Sequence, residues 1–247
     1  MRVYGGIALI WLAAAAVPVV WRVPLAVVAV VLDLASPLFL ARLQGELGRF
    51  SGEHLSDRFG AFFLLVLGQI IVVTVLVMTR LRLPSVADVT AGALSFAITF
   101  EMWWIYVDHV VGRPLRQSNL WNATWTYVNI PLFMAATAFG AAALTFVTRG
   151  EQVVPDPVRW VLAGSFAVAL LLSGLAELAL EPMPMSRRGS WLQLGWLRLG
   201  LIHGLPAALS LLVALLAHGL PSIPLLTALS VVGFLAVLLG EFPRASL

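Results

Sequence analysis

The sequence contains no lysine and no cysteine, and all 15 of its basic residues are arginine. Without lysine the chain cannot form a Walker-type phosphate-binding loop, or a Schiff base with retinal or pyridoxal phosphate. Without cysteine it cannot form a disulfide, a covalent haem attachment or a thiolate metal site. These absences exclude a rhodopsin-like retinal protein and several classes of enzyme.

Charge is also scarce. Only 11% of the 247 residues are charged and 61% are hydrophobic, whereas soluble domains carry about 25% charged residues. The mean hydropathy is +0.98. Although the isoelectric point is 10.2, the net charge is only +3 and the arginines stand between apolar runs instead of forming a stripe. The composition therefore predicts a lipid bilayer, and not nucleic acid, as the partner of this chain.

Apolar runs recur along the chain, each of a length that suits a spanning helix of about 20 residues. The sequence predicts an all-α fold, a multi-pass transmembrane bundle of about eight spans that forms a single integral membrane domain over residues 1–247. Two alternatives stay open: the first two spans form one re-entrant element, which leaves seven, or the first span is a signal peptide. The predicted spans are Val3–Val20, Pro24–Ala41, Phe59–Thr79, Val86–Val107, Trp121–Val147, Val158–Leu180, Trp191–Ala217 and Ser222–Leu239.

Two local features of the first part of the chain lead to specific expectations. The first two spans are predicted to form a tight hairpin hinged at Trp21, Arg22 and Pro24. The longest polar segment, residues 42–58, carries apolar residues at helical spacing, which predicts an amphipathic helix lying in the membrane interface.

The distribution of arginine predicts the orientation. Nine arginines fall on the side of the N-terminus and five on the opposite side, with Arg198 inside a span. Because arginine and lysine are enriched in cytoplasmic loops, we expect a multi-pass protein of the inner (plasma) membrane with both termini in the cytoplasm.

The carboxylates Asp33, Glu101 and Asp108 lie within or at the end of predicted spans. A charge at the centre of a spanning helix costs about 2.5 kcal/mol or more, so such a group needs a partner or a function. Asp33 precedes Pro37 by four residues, and this proline frees the Asp33 carbonyl and kinks the helix; a proton-carrying group and a protonated structural group both stay open. Glu101 and Asp108 share one face of the fourth span. An arginine partner at the interface is favoured for Asp108, whereas Glu101 lies deeper.

Neutral amides occupy the centres of two other spans. Gln69 lies in the third span, and Asn129 lies in the fifth with Tyr127 and Pro131 beside it. Amides at this depth most often join helices by hydrogen bonds.

His203 lies near mid-depth in the seventh span, where Asp33, Glu101 and Glu177 are its candidate partners. A satisfied structural histidine is favoured over a proton relay. No two of the four histidines have the spacing of a helical metal site, so we expect no metal and no cofactor. The sequence contains no Gly-x-Ser-x-Gly or His-Glu-x-x-His motif, so we expect no catalytic residues and no enzyme activity.

An ordered motif of five positions begins just before the third span and ends near its centre. A histidine, an Asp-Arg pair, an apolar run and a Gly-Gln pair occupy His54, Asp57, Arg58, Gly68 and Gln69. This pattern resembles the signature helix of the bacterial low temperature requirement protein A family, in which a histidine, a Glu-Arg pair, an apolar run and Gly-Glu follow one another.

Two further motifs follow in the family's order. The run Trp103-Trp104-Ile-Tyr106-Val-Asp108 is similar to the family's Trp-Trp-x-Tyr-Phe-Asp. The run Tyr127-Val-Asn129-Ile-Pro131 is similar to its Tyr-x-His-x-Pro. The resemblance extends over essentially the whole chain.

The departures from the family pattern concern titratable groups. Gln69 stands where the family has glutamate, and Asn129 where it has histidine. Neither amide can carry a proton, so a proton-coupled role would move to Asp33, Glu101 or His203. The family's Glu-Leu-Phe-Phe-Asp-Leu stretch and its early spans are not found, so the resemblance implies a shortened, divergent member.

Two functions are compatible with these observations. The first is an ion- or proton-linked transporter or channel whose pathway candidates are Asp33, Glu101, Asp108, His203, Gln69 and Asn129. The second is a non-transporting structural or interaction protein with a polar helix-packing core. The small ion or solute stays unidentified, and a homo-oligomer or a partner membrane subunit stays open.

Overall fold

The computed structural model describes residues 2–44, 52–80, 84–116, 118–149, 153–181, 197 and 199–241. These residues form α-helices and one π-helical turn, and they contain no strand, so the predicted all-α fold is confirmed. The helices are α1 (Arg2–Ala16), α2 (Val19–Gln44), α3 (Gly52–Arg80), α4 (Val86–His109), α5 (Asn119–Arg149), α6 (Asp156–Leu178), α7 (Leu205–Leu216) and α8 (Ser222–Glu241), with the π-helical turn Gly200–Gly204 directly before α7.

Each predicted span overlaps one of these helices, or the π-helical turn joined to α7; the first part of the predicted span Trp191–Ala217 lies outside the described residues. Within the described part of the chain, four segments have the length and hydropathy of a membrane span: Ser56–Arg80, Leu120–Thr148, Asp156–Leu178 and Ser222–Glu241. Gly5–Ala16 and Gly200–Leu216 are shorter apolar helices. Large apolar side chains on the outside, such as Leu65 at 68% and Val72 at 65% exposure, suit contact with lipid. The protein is a multi-pass transmembrane helical bundle.

The chain divides into two compact units, Met1–Ser51 and Gly52–Leu247. In the first unit α1 and α2 pack against each other as the predicted hairpin, but the predicted hinge at Trp21, Arg22 and Pro24 is wrong. The helix breaks at Pro18, because a proline disfavours helical geometry in the residue before it. The Pro18 carbonyl then accepts from the backbone N–H groups of Trp21 (3.0 Å) and Arg22 (3.2 Å) and starts α2.

The polar segment 42–58 is divided between flanking helices. Helix α2 continues to Gln44, and α3 begins at Gly52. Both ends of the predicted interfacial helix therefore belong to longer helices, and its central residues 45–51 lie outside the described part of the chain.

In the second unit the main helix pairs are α5 with α6 and α4 with α8. Small residues that are almost fully buried, Ala136 and Ala143 on α5 and Ala163 and Ala167 on α6, let the first pair approach closely. Ser85 begins α4 with a capping box to Asp88. These contacts fix α4, α6 and α8, the helices that carry the polar groups described next.

Candidate functional site

Glu101 is a buried carboxylate on α4, and it faces α8. Its side chain is 8% exposed, and its Oε1 accepts a hydrogen bond of 2.9 Å from the Ser230 hydroxyl. Its Oε2 is enclosed and has no hydrogen-bond partner. Glu101 is thus buried among the helices, and its hydrogen-bond partner is a neutral hydroxyl.

A second polar cluster lies where α4 and α6 end and the π-helical turn begins. His109 and His203 are buried, with ring centroids 5.4 Å apart and planes at 77°. Glu177 joins two partners with one carboxylate: its Oε1 lies 3.0 Å from Arg113 Nη1, and its Oε2 lies 3.3 Å from His203 Nε2. We call these four residues the histidine cluster.

The hydrogen bonds of the two histidines indicate their neutral tautomers. His109 Nδ1 lies 2.9 Å from the Ile105 carbonyl, so this nitrogen carries the proton. His203 Nε2 faces the Glu177 carboxylate, so it also acts as the donor. The remaining nitrogens, His109 Nε2 and His203 Nδ1, are buried and without a hydrogen-bond partner. Each ring therefore keeps a free lone pair that can accept a proton.

Proline shapes the segment that presents His203. Pro206 lies four residues after Ile202 and cannot donate to its carbonyl, which weakens regular α-helical bonding at this point. The chain winds instead as a π-helical turn over Gly200–Gly204. Such turns are frequent at functional sites, and this one places the His203 ring, 2% exposed, against Glu177.

Arg113 is held in place by the turn that follows α4. Its guanidinium donates to the carbonyls of His109 and Glu181 (both 2.9 Å) as well as to Glu177. Gly112 turns the chain with a φ of 74°. The turn is bonded to the end of α6 by a backbone hydrogen bond of 2.8 Å from Glu181 to Pro114.

Asn129 forms a neutral link between helices. Its Oδ1 accepts from the Tyr106 hydroxyl at 2.6 Å, and its Nδ2 donates to the Trp125 carbonyl at 2.7 Å. Pro131 lies inside α5, which continues through it. The predicted role of Asn129 in joining helices is confirmed.

The remaining pathway candidates lie apart from these groups. Asp33, in the hairpin unit, is exposed and accepts a hydrogen bond of 2.8 Å from Trp11 of the neighbouring helix. Gln69 is exposed on α3. Asp108 is half-buried, with its Oδ2 3.7 Å from His109 Nδ1.

The other motif positions are distributed over α3, α4 and α5. Asp57 and Arg58 are exposed, Gly68, Trp103 and Tyr127 are half-buried, and the side chain of His54 lies outside the described residues. The Trp104 indole N–H donates to Glu241 at 3.4 Å.

Sequence reasoning identified His203 and named Glu177 only as one of three partners, and it left His109 and Arg113 out of the site. The signal available was the presence of an acid, Glu177, near the end of an otherwise apolar span. Within the described residues, no group of three or more His, Asp or Glu side chains is arranged to hold a metal ion.

Comparison with known proteins identifies a family whose pattern covers most of the chain. The sequence profile of the family described as bacterial low temperature requirement A protein (LtrA) matches residues 1–239. No curated protein and no solved structure matches the chain.

Proposed function

The chain belongs to the bacterial low temperature requirement A family, and from this premise we propose that it is an ion- or proton-linked transporter or channel of the inner membrane. We further propose that both termini are cytoplasmic, on the same side as the arginine-rich turn after α4, and that the protein has no enzyme activity.

The histidine cluster is the observation that carries this proposal. Two rings with free lone pairs lie next to a carboxylate that already holds an arginine, and all four side chains are at most 14% exposed. Burial of ionisable groups among spanning helices is costly, and such groups commonly mark ion or proton pathways. A purely structural core would be satisfied more cheaply by neutral links such as that of Asn129.

Glu101 extends the line of titratable groups away from this cluster. It precedes His109 by eight residues on α4, which corresponds to about 12 Å along a helix at 1.5 Å per residue. A carboxylate at this depth and a histidine cluster at the helix end are suited to receive and release an ion in sequence.

The test is a flux assay with purified protein in liposomes that contain a pH-sensitive dye. We expect the wild type to change the internal pH when a gradient or a membrane potential is imposed. Glu101→Gln and His203→Gln should reduce the rate at least tenfold, because each replaces a titratable group with an amide of similar size. Asp33→Asn is the matched control, since its amide oxygen still accepts the Trp11 hydrogen bond and the flux should persist.

The flux outcomes separate the candidates. A wild type that moves neither protons nor common ions under any gradient would contradict the proposal. Loss of flux in Asp33→Asn, with Glu101→Gln unaffected, would move the pathway to the hairpin unit.

A second candidate function is supported by one specific observation. The Tyr106–Asn129 bond and the Ser230–Glu101 bond join different helices, and both are of the kind that holds membrane helices together. A structural or interaction protein with a polar packing core would show this pattern. In that case Glu101→Gln would leave any flux unchanged and affect only stability.

A further inference from the structure

Three buried titratable side chains each lie directly against a glycine of a neighbouring helix. Glu101 packs on Gly233 and His109 on Gly240, both on α8, while His203 packs on Gly174 of α6. Glycine is required here for steric reasons, because a methyl group at any of the three positions would press on the titratable side chain.

The contact at Gly233 is the closest. A Cβ atom here would collide with Glu101 Oε2 and would lie 3.0 Å from its Cδ and 3.1 Å from Phe166 Cζ. The carboxyl group cannot simply swing away, because the Ser230 hydroxyl holds its other oxygen at 2.9 Å. Gly233, Ser230 and Phe166 thus form a closed seat for the carboxyl group of Glu101.

The contact at Gly240 repeats this arrangement one step along the same helix pair. A Cβ atom would lie 2.7 Å from His109 Cε1 and 3.0 Å from its Nε2, while Nδ1 is fixed to the Ile105 carbonyl. Gly233 and Gly240 are seven residues apart, and Glu101 and His109 are eight apart, so each pair lies on one helix face. Helix α8 therefore presents its backbone to both Glu101 and His109 of α4.

Glycine in a helix interior is destabilising relative to alanine, so these positions need a reason. The side-chain atoms that face Gly233 and Gly240 supply this reason. Glu101 Oε2 and His109 Nε2 are both buried, and both lack a hydrogen-bond partner. Each seat thus encloses an atom that can take up a ligand but has no protein donor.

The size and chemistry of the Glu101 seat restrict that ligand. One carboxylate and one hydroxyl supply far fewer oxygen ligands than the six or more that a hard metal cation takes. A hydrated cation would also require space that the backbone at Gly233 and the ring of Phe166 occupy. A proton requires neither several oxygen ligands nor this additional space.

We propose that Glu101 is a proton-binding site and that Gly233 and Gly240 are positioning residues that seat the Glu101 carboxyl group and the His109 ring. For transport this inference rests on the proposed function and names the proton as the transported or coupling ion. The positioning of Glu101 and His109 by the two glycines does not depend on transport, and a separate experiment measures it.

The experiment uses a membrane-soluble carbodiimide, which reacts with protonated carboxyl groups, on the full-length protein in liposomes, with mass spectrometry of the peptide that contains Glu101. We expect labelling that falls as the pH rises and that sodium, potassium or magnesium ions do not prevent. Protection by one of these cations at constant pH would overturn the assignment to a proton.

The seating is tested with Gly233→Ala. The added methyl group should push the carboxyl group out of its enclosure and raise the labelling rate several-fold. Gly140→Ala is the matched control, because its Cβ atom would meet the apolar Ile70 side chain at 2.5 Å; it should disturb packing equally and leave the labelling unchanged. Equal labelling in Gly233→Ala and the wild type would overturn the positioning role.

A rescue variant covers the case in which Gly233→Ala fails to fold. Adding Glu101→Asp shortens the side chain by one methylene group and makes room for the methyl group, so the double variant should recover a cooperative melting transition. Failure of the double variant to recover would contradict the seat.

The two proposals fail differently. If Glu101 is labelled with the expected pH dependence but the protein shows no flux, the transport function is contradicted and the proton-binding site is supported. Flux that depends on Glu101 but is unchanged in pH profile and rate in Gly233→Ala and Gly240→Ala contradicts the positioning role alone.

Discussion

At the scale of single residues, Glu177 is the side chain on which most of the histidine cluster depends. It is 6% exposed and compensates the guanidinium of Arg113, which is 14% exposed, while holding His203 with its other oxygen. Removing one member of a buried ion pair is strongly destabilising, because the other charge is left without compensation.

We therefore expect Glu177→Gln to lower the free energy of unfolding by about 3 kcal/mol. The measurement is denaturant unfolding in detergent micelles. Glu181→Gln is the control, since Arg113 bonds to the backbone carbonyl of Glu181, and this variant should unfold like the wild type. Equal stability of the two variants would mean that the Arg113–Glu177 pair contributes nothing.

Sequence spacing could predict which residues share a helix face but not which helix they meet. It named Glu177 among three candidate partners for His203, and the structure bears out this contact. It could not select Glu177 over Asp33, because that choice depends on how separate helices pack. The role of Pro206 in forming the π-helical turn was likewise beyond the pattern of apolar residues.

At the scale of elements, the turn between α4 and α5 fixes Arg113. Gly112 has a φ of 74°, a conformation that costs a residue with a Cβ atom about 1 kcal/mol or more. No atom lies within 4 Å of a Cβ atom added there, so the backbone alone requires glycine.

Gly112→Ala should therefore lower the free energy of unfolding by about 1 kcal/mol. Gly164→Ala, within α6, also meets nothing within 4 Å but has helical geometry, so it should raise the stability by about 0.5 kcal/mol. Opposite signs in the two unfolding curves are the expected result. The same sign for both variants would show that the conformation of Gly112 is not what matters.

The hinge of the first hairpin shows why element boundaries were harder to predict than the elements themselves. The sequence predicted a break at Trp21, Arg22 and Pro24, between two apolar runs. The helix instead breaks at Pro18, inside the apolar run, because backbone sterics determine where a helix ends. Hydropathy predicts that these two spans exist, whereas Pro18 sets the boundary between them.

At the scale of the whole molecule, the hairpin unit and the larger unit are separate compact bodies. In the hairpin the hydrogen bond from Trp11 to Asp33 joins α1 and α2. A bond of this kind between membrane helices contributes about 0.6 kcal/mol on average.

Trp11→Phe removes the donor and should raise hydrogen–deuterium exchange in α1 and α2 by roughly threefold. Exchange in α3 to α8 should be unchanged, as measured by mass spectrometry of peptides from the protein in liposomes. Faster exchange throughout the chain would contradict the division into two units.

The attachment of α6 at both ends has a mechanical consequence. At its N-terminus Asp156 accepts from His218, in the turn before α8, at 3.1 Å; at the other end the backbone of Arg116, in the turn after α4, donates to the Ala179 carbonyl at 3.1 Å. Helix α6 therefore holds the turn after α4 at one end and the turn before α8 at the other, so neither α4 nor α8 can slide along the other without breaking one of these contacts. The Glu101 seat, which Phe166 of α6 helps to form, lies between these two attachments.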